Sequence, residues 1–191
     1  MFSSRELRQH SYYAISTWPG GLYSTTTPAG SRPGVNAALA WATMQCIGRE
    51  GYVQRTKAVL ELSKRLERVA KKAPGLDVIG TELQTVCFTS KKFNIYHMLD
   101  EMSHRGWELQ ALQFPPSIHI GITYAHCLAG EKFVEKWTKD IIEVACKLNG
   151  EGNKPASDGS AALYGTAQTI PDRSIVEDTT KAFWDAYYNT K

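Results

Sequence analysis

No hydrophobic run in this chain approaches the ~20 residues that a membrane-spanning helix needs, and no signal-peptide pattern opens it. Cysteine is scarce. The four thiols, Cys46, Cys87, Cys127 and Cys146, form no C-x-x-C pair, which argues for reduced thiols and against structural zinc. Charge of one sign is nowhere concentrated: the net charge of +3 comes from scattered residues, so nucleic acid or a membrane held by charge alone is not expected. Also missing are a Walker-type loop, a G-x-G-x-x-G fingerprint, a Ser-His-acid set, a pair of carboxylates and any internal repeat. What remains is 191 residues, 42% of them apolar, enough for one globular core and a small second lobe.

The stretch from Gly20 to Gly34 is the richest part. Four hydroxyl residues, Ser24 to Thr27, are followed by Pro28-Ala29-Gly30-Ser31-Arg32-Pro33-Gly34. Glycine lets backbone N–H groups approach a ligand, hydroxyls donate hydrogen bonds, and Arg32 brings a planar charged fork. This is the chemistry of a phosphate or carboxylate site. An ordinary irregular connection has the same composition, so both readings stand on the residues alone.

Around that stretch the elements alternate. Residues 1–34, with Tyr12, Tyr13, Trp18 and Tyr23, show little periodicity and are expected to pack on something outside the chain. The apolar run 35–47 predicts a buried helix, with a break at Gly48 and Gly51. A second helix carries Val59, Leu62, Leu66 and Val69 and ends at Pro74-Gly75. Strands are expected over 76–79, 85–88, 107–112 and 117–123, the last with Ile118, Ile120 and Ile122 inward. Helices carry Ile95, Met98, Leu99 and Met102, then Phe133, Trp137, Ile141, Val144 and Leu148. Residues 149–160 read as a flexible connector. A final helix begins near Pro171 and places Val176, Thr179, Phe183 and Tyr187 on one side. The fold class is α/β, an α+β lobe whose helices cover one face of a small, mostly antiparallel sheet. His119, off the isoleucine face, reads as a hydrogen-bonded structural histidine, and His97 and His104 as surface residues.

Several segments carry a resemblance. Thr17-Trp18-Pro19-Gly20-Gly21-Leu22-Tyr23 and Pro28-Ala29-Gly30-Ser31-Arg32-Pro33-Gly34 come first, then Gly51-Tyr52-Val53 and Gly106-Trp107-Glu108-Leu109. Leu112-Gln113-Phe114-Pro115-Pro116-Ser117-Ile118-His119, Leu163-Tyr164-Gly165-Thr166-Ala167-Gln168-Thr169 and Asp172-Arg173 follow in order. Together they resemble the sphingosine-1-phosphate lyases, pyridoxal-phosphate enzymes of the group II decarboxylase type. The resemblance implies the C-terminal part of a fold-type I pyridoxal-phosphate fold. Residues 1–48 would end the large cofactor-binding domain and its dimer-interface segment, 49–150 would form the small α+β domain, and 151–191 the connector and a terminal helix near the substrate channel.

It further implies cleavage of a phosphorylated sphingoid base to a fatty aldehyde and phosphoethanolamine in a homodimer. Gly30 and Ser31 would bind the phosphate of pyridoxal 5'-phosphate in the other subunit's active site. Tyr23, Phe183 and Tyr187 would line the substrate channel, although Phe183 and Tyr187 could equally be a buried helix stripe. Tyrosine at 187, where the family often has leucine, narrows or polarises that wall. Arg32 either reaches the phosphate or fixes the loop through backbone carbonyls; the second is favoured, since serine and backbone suffice. The family's catalytic lysine, in a His-Lys-Tyr-Gly context, has no counterpart here and is expected upstream of Met1, so the chain reads as a fragment inactive alone. Family members sit on the cytosolic face of the endoplasmic reticulum membrane through an N-terminal anchor that this chain does not contain. The alternatives are an amino-acid decarboxylase fragment and a non-catalytic binding or regulatory pseudoenzyme.

Overall fold

The computed structural model describes residues 4–152 and 159–188. Ser4 caps a short helix, α1 (Arg5–Gln9), by accepting from the Leu7 N–H. Two three-residue strands, β1 (Tyr13–Ile15) and β2 (Tyr23–Thr25), pair antiparallel with Ala14 opposite Ser24. The chain then runs through residues 26–33 into α2 (Gly34–Ala70), which is two helices joined at Gly48. Gly48 sits at φ 63° and ψ 170°, a conformation open to glycine and outside any helix, so the expected break is there.

The second half of α2 delivers Leu62, Leu66 and Ala70 to the core. A four-stranded antiparallel sheet follows, made of β3 (Asp77–Glu82), β4 (Thr85–Thr89), β5 (Gln110–Leu112) and β6 (Ser117–Gly121) in the order β3-β4-β6-β5. Period-2 alternation sends Val86, Phe88, Ala111, Ile118 and Ile120 to one face. There they meet α2, α3 (Ile95–His104) and α5 (Glu131–Glu151), whose Met98, Met102, Trp137, Ile141 and Val144 are fully buried. Burying each such large side chain contributes roughly 1.5–3 kcal/mol. Trp137 meets Phe88 and Trp107 edge-on, with centroids 6.3 and 5.1 Å away. The other face, with Cys87, His119 and Gln110, carries small and polar residues. The expected sheet and its one-sided helical cover are therefore observed.

Other expectations change. Residues 4–25 pack in part on the chain's own last helix, α7 (Arg173–Tyr187). The buried Asp185 accepts from Arg5 Nε at 2.8 Å, Arg8 Nη2 at 3.1 Å, Tyr12 Oη at 3.1 Å and the Gln9 amide. Gln9 above all, then Arg5, Arg8 and Tyr12, holds the Asp185 carboxyl far below its usual range against the opposing effect of burial. Partners at opposite ends of the sequence leave no local periodic signal. Tyr12 is buried by this clasp, whereas Tyr13, Trp18 and Tyr23 stay exposed.

The helix expected over 35–47 exists, but Val35, Leu39, Trp41 and Met44 are all exposed. An all-round apolar pattern reports that a helix wants cover, not that its own chain supplies it. Of the expected connector, 149–151 belong to α5, 159–160 to α6, and 153–158 lie outside the described residues. Three of the described helices were not anticipated: α1, α4 (Tyr124–Leu128) and α6 (Gly159–Thr169). The first turn of α6 is capped from α3, where both Asp100 oxygens accept N–H bonds of 3.0 Å from Ser160 and Ala161.

Candidate functional site

Residues 27–41 are all exposed, so the Gly30–Ser31 turn stands out from the body between β2 and α2. A Cβ added at Gly30 would meet nothing within 4 Å, and Gly30 is not among the positive-φ glycines. Its own chain thus gives no steric reason for glycine there; a close approach by something else would. Arg32 Nη1 donates to the carbonyls of Gly30 at 2.9 Å and Ser31 at 3.4 Å. That is the favoured scaffolding role: the guanidinium gathers the loop's carbonyls and leaves its amides and the Ser31 hydroxyl available. The turn leads into the N-terminus of α2, which has no side-chain cap and no acidic residue in its first turn. Unsatisfied N–H groups at a helix start favour an anion.

The three proposed channel residues fall into two groups. Tyr23 lies on the ribbon face with Tyr13 and Ile15, and its ring meets Trp18 and Tyr13 edge-on at 6.1 and 6.4 Å. Ser24 points the other way and accepts from Trp184 Nε1 of α7 at 3.0 Å. Phe183 and Tyr187 stack with centroids 6.4 Å apart and are 61% and 67% exposed. They are therefore not the buried stripe of their helix. Its packed side is Val176, Glu177, Trp184 and Asp185, because polar bonds from Ser16 and the Asp185 clasp set the helix rotation. Among the described residues no ring contact joins Tyr23 to Phe183 or Tyr187; α7 packs on the ribbon face opposite Tyr23.

His119 departs from expectation. Its Nδ1 is buried with no hydrogen-bond partner, and burial lowers its pKa. It borders a cleft of about 640 Å³ with Gln110, His126 and Lys136. The Lys136 amine there is committed to the Asp140 carboxylate and the Arg105 carbonyl. His104 is exposed and His97 half-buried. Among the described residues no three His, Cys, Asp or Glu side chains converge as metal ligands, and no helix is long and apolar enough to cross a membrane.

The chain is 40% identical to sphingosine-1-phosphate lyase of Oryza sativa subsp. japonica over 187 residues, 97% of its length. It is 40% identical to the Arabidopsis thaliana lyase over 189 residues. The chain is homologous to part of the sphingosine-1-phosphate lyases. It spans 34% of each of those two relatives. A solved sphingosine-1-phosphate lyase of Burkholderia pseudomallei K96243 matches with TM-score 0.58 at 32% identity, over 78% of this chain and 34% of that one. No family model matches the chain.

Segments shared with the sphingosine-1-phosphate lyases by resemblance turn out to be mutual packing surfaces. Gly21, at φ 119°, lies against Tyr164 of α6: a Cβ there would come within 3.0 Å of the Tyr164 Oη and 3.3 Å of the Ala111 carbonyl. Tyr164 in turn stacks on Tyr96 at 5.1 Å. The Tyr96 hydroxyl donates to the Leu112 carbonyl at 2.6 Å, and burial pushes its pKa up to about 12. Gln113 and Arg173 join the same framework. Both lie in segments that carry the resemblance, yet nothing in their spacing announced that they meet.

Proposed function

We propose that this chain is part of a sphingosine-1-phosphate lyase-like enzyme, a carbon–carbon lyase dependent on pyridoxal 5'-phosphate, that cleaves phosphorylated sphingoid bases to a fatty aldehyde and phosphoethanolamine. The 30–40% identity to curated lyases along nearly the whole chain supports the reaction class. The observation that carries the site assignment is the exposed Gly30–Ser31 turn, which has open space at the missing side chain and a guanidinium holding its carbonyls.

That turn suits a phosphate dianion. The Ser31 hydroxyl and a loop amide would donate charge-assisted bonds worth roughly 1.5–3 kcal/mol each. Pyridoxal 5'-phosphate, when bound, supplies the electron-withdrawing ring that makes the substrate's carbon–carbon bond breakable. In this reading the turn serves the other subunit of a homodimer, and the apolar face of Val35, Leu39, Trp41 and Met44 is covered in that assembly. Residues 1–48 close the large domain, 49–150 form the small domain, and 151–191 bring the last helix to the channel. Tyr23 on one side, with Phe183 and Tyr187 on another, offers aromatic wall to a long apolar tail. The enzyme would work at the cytosolic face of the endoplasmic reticulum membrane.

The test is a chimera in which this chain replaces the matched third of the rice lyase. It should take up the cofactor and release fatty aldehyde from a phosphorylated sphingoid base. Ser31→Ala should weaken cofactor affinity about 10- to 100-fold, the loss of one charge-assisted bond. The isolated chain should form no borohydride-trappable adduct at a single lysine. Unchanged cofactor affinity in the Ser31→Ala chimera would overturn the site assignment.

A further inference from the structure

The turn between β5 and β6 carries a fully buried amide. Gln113 is 1% exposed, and every group on its side chain that can face protein does so. Its Nε2 donates to the Ser16 carbonyl at 2.8 Å and the Trp18 carbonyl at 2.9 Å, and its own N–H donates to the Pro19 carbonyl at 2.8 Å. Its Oε1 accepts from Arg173 Nη2 at 3.2 Å. Arg173 also donates to the carbonyls of Ser16 and Ala167, so all three of its acceptors are neutral oxygens. Ser16 closes the circle: its N–H and hydroxyl donate to Glu177 of α7 at 3.2 and 3.0 Å.

Three segments distant in sequence therefore meet at one node: the connection between β1 and β2, the β5–β6 turn, and the α6–α7 junction. The node is densely bonded, although the buried Arg173 Nε finds no partner. Phe114, next to Gln113, is held at φ 60°, which a bulky side chain rarely adopts, and the Arg173 guanidinium lies 5.2 Å above its ring. A cation surrounded by carbonyls and an aromatic face is a costly way to obtain stability alone and a good way to fix geometry.

We propose that Gln113 and Arg173 are positioning residues that set where the Tyr23-bearing ribbon stands relative to the rest of the substrate channel. The connection they grip, from Ser16 to Pro19, leads directly through Gly20, Gly21 and Leu22 to Tyr23, with Gly21 seated on Tyr164. Releasing the grip frees Tyr23 without touching it. This rests on the assignment of Tyr23 to the channel wall under the proposed function.

Gln113→Leu roughly keeps the side chain's volume and removes its side-chain hydrogen bonds to Ser16, Trp18 and Arg173, leaving the main-chain bond to the Pro19 carbonyl. In the chain itself, hydrogen exchange of amides in 13–25 should accelerate at least about tenfold, while those of β4 and β6 keep their rates. In the chimera with the rice lyase, Gln113→Leu should raise KM for a phosphorylated sphingoid base by about an order of magnitude, with kcat within about twofold. Tyr23→Ala should do the same, and the double variant should add nothing further, because both act on one contact. Ile141→Val, a core truncation, should lower Tm yet leave KM alone, separating positioning from stability. Unchanged exchange in 13–25, or a KM that moves for Tyr23→Ala and not for Gln113→Leu, overturns the inference by itself. A KM that ignores Tyr23→Ala overturns the channel assignment and the positioning role together.

Discussion

Replacing Asp140 by alanine removes the acceptor at the centre of the α3–α5 seam. The residue is 7% exposed, and its carboxylate accepts from Trp107 Nε1 at 2.8 Å, Lys136 Nζ at 2.8 Å and Arg105 Nη1 at 3.1 Å. Trp107 is buried, so its indole N–H would lose its partner out of reach of bulk water, a cost of about 1–3 kcal/mol. The two ion pairs count for less: the Lys136 and Arg105 side chains are 53% and 31% exposed, and each pair contributes at most ~1 kcal/mol after screening. The sum is about 2–4 kcal/mol, or roughly 5–15 °C in Tm for a chain of this size. Asp140→Asn keeps an acceptor for Trp107 and should lose only about 1 kcal/mol.

The pH dependence gives a second check. Burial raises the Asp140 pKa, but bonds from Lys136, Trp107 and Arg105 outweigh it and leave the carboxyl below its ordinary value. A group depressed in the folded state stabilises above its unfolded pKa, about 3.9, and loses that contribution as pH falls through the folded value. The stability gap between the wild-type chain and Asp140→Asn should therefore be full at neutral pH and shrink below pH ~4. Urea unfolding across pH reads both quantities. A loss under about 1 kcal/mol for Asp140→Ala, or a gap that widens in acid, refutes the reasoning.

Gly21→Ala must place a Cβ 3.0 Å from the Tyr164 hydroxyl at φ 119°, so it should destabilise by about 1–3 kcal/mol in denaturant unfolding. Phe183→Ser and Tyr187→Ser, on the exposed side of α7, should each change stability by less than about 0.5 kcal/mol while lowering the chimera's affinity for long-chain substrate over short. Burial lowers the His119 pKa, so the folded state resists a proton that the unfolded chain takes up. Wild-type stability should fall as pH drops below ~6.5, and His119→Gln should flatten that slope between pH 7 and about 5. An identical slope in the variant would show that His119 does not titrate as its surroundings require.

Much of the four-stranded sheet and of the helices packed on it was legible because these elements carry one clear period each. Ile118 and Ile120 alternate strictly; Met98 and Met102, and Trp137, Ile141 and Val144, follow helical spacing. Helix α6 was not, since its glycines, alanines and threonines make no apolar stripe; it is held by Asp100, Tyr96 and Arg173. The strand expected over 107–112 shrank to Gln110–Leu112. In the last helix the expected face divides: Val176 is buried, while Thr179, Phe183 and Tyr187 are exposed, and apolar spacing could not say that Glu177, Trp184 and Asp185 would be the residues turned inward beside Val176.

The sequence by itself determined the alternation of elements, the resemblance to the lyases and the glycine-serine turn, because each is written in residues close along the chain. Only the tertiary structure decided that the first and last helices clasp through Asp185, that Gln113 and Arg173 grip the connection between β1 and β2, and that Val35, Leu39, Trp41 and Met44 face outward. Those depend on which polar groups find partners across the fold, and hydrogen-bond partners distant in sequence leave no periodic trace in it.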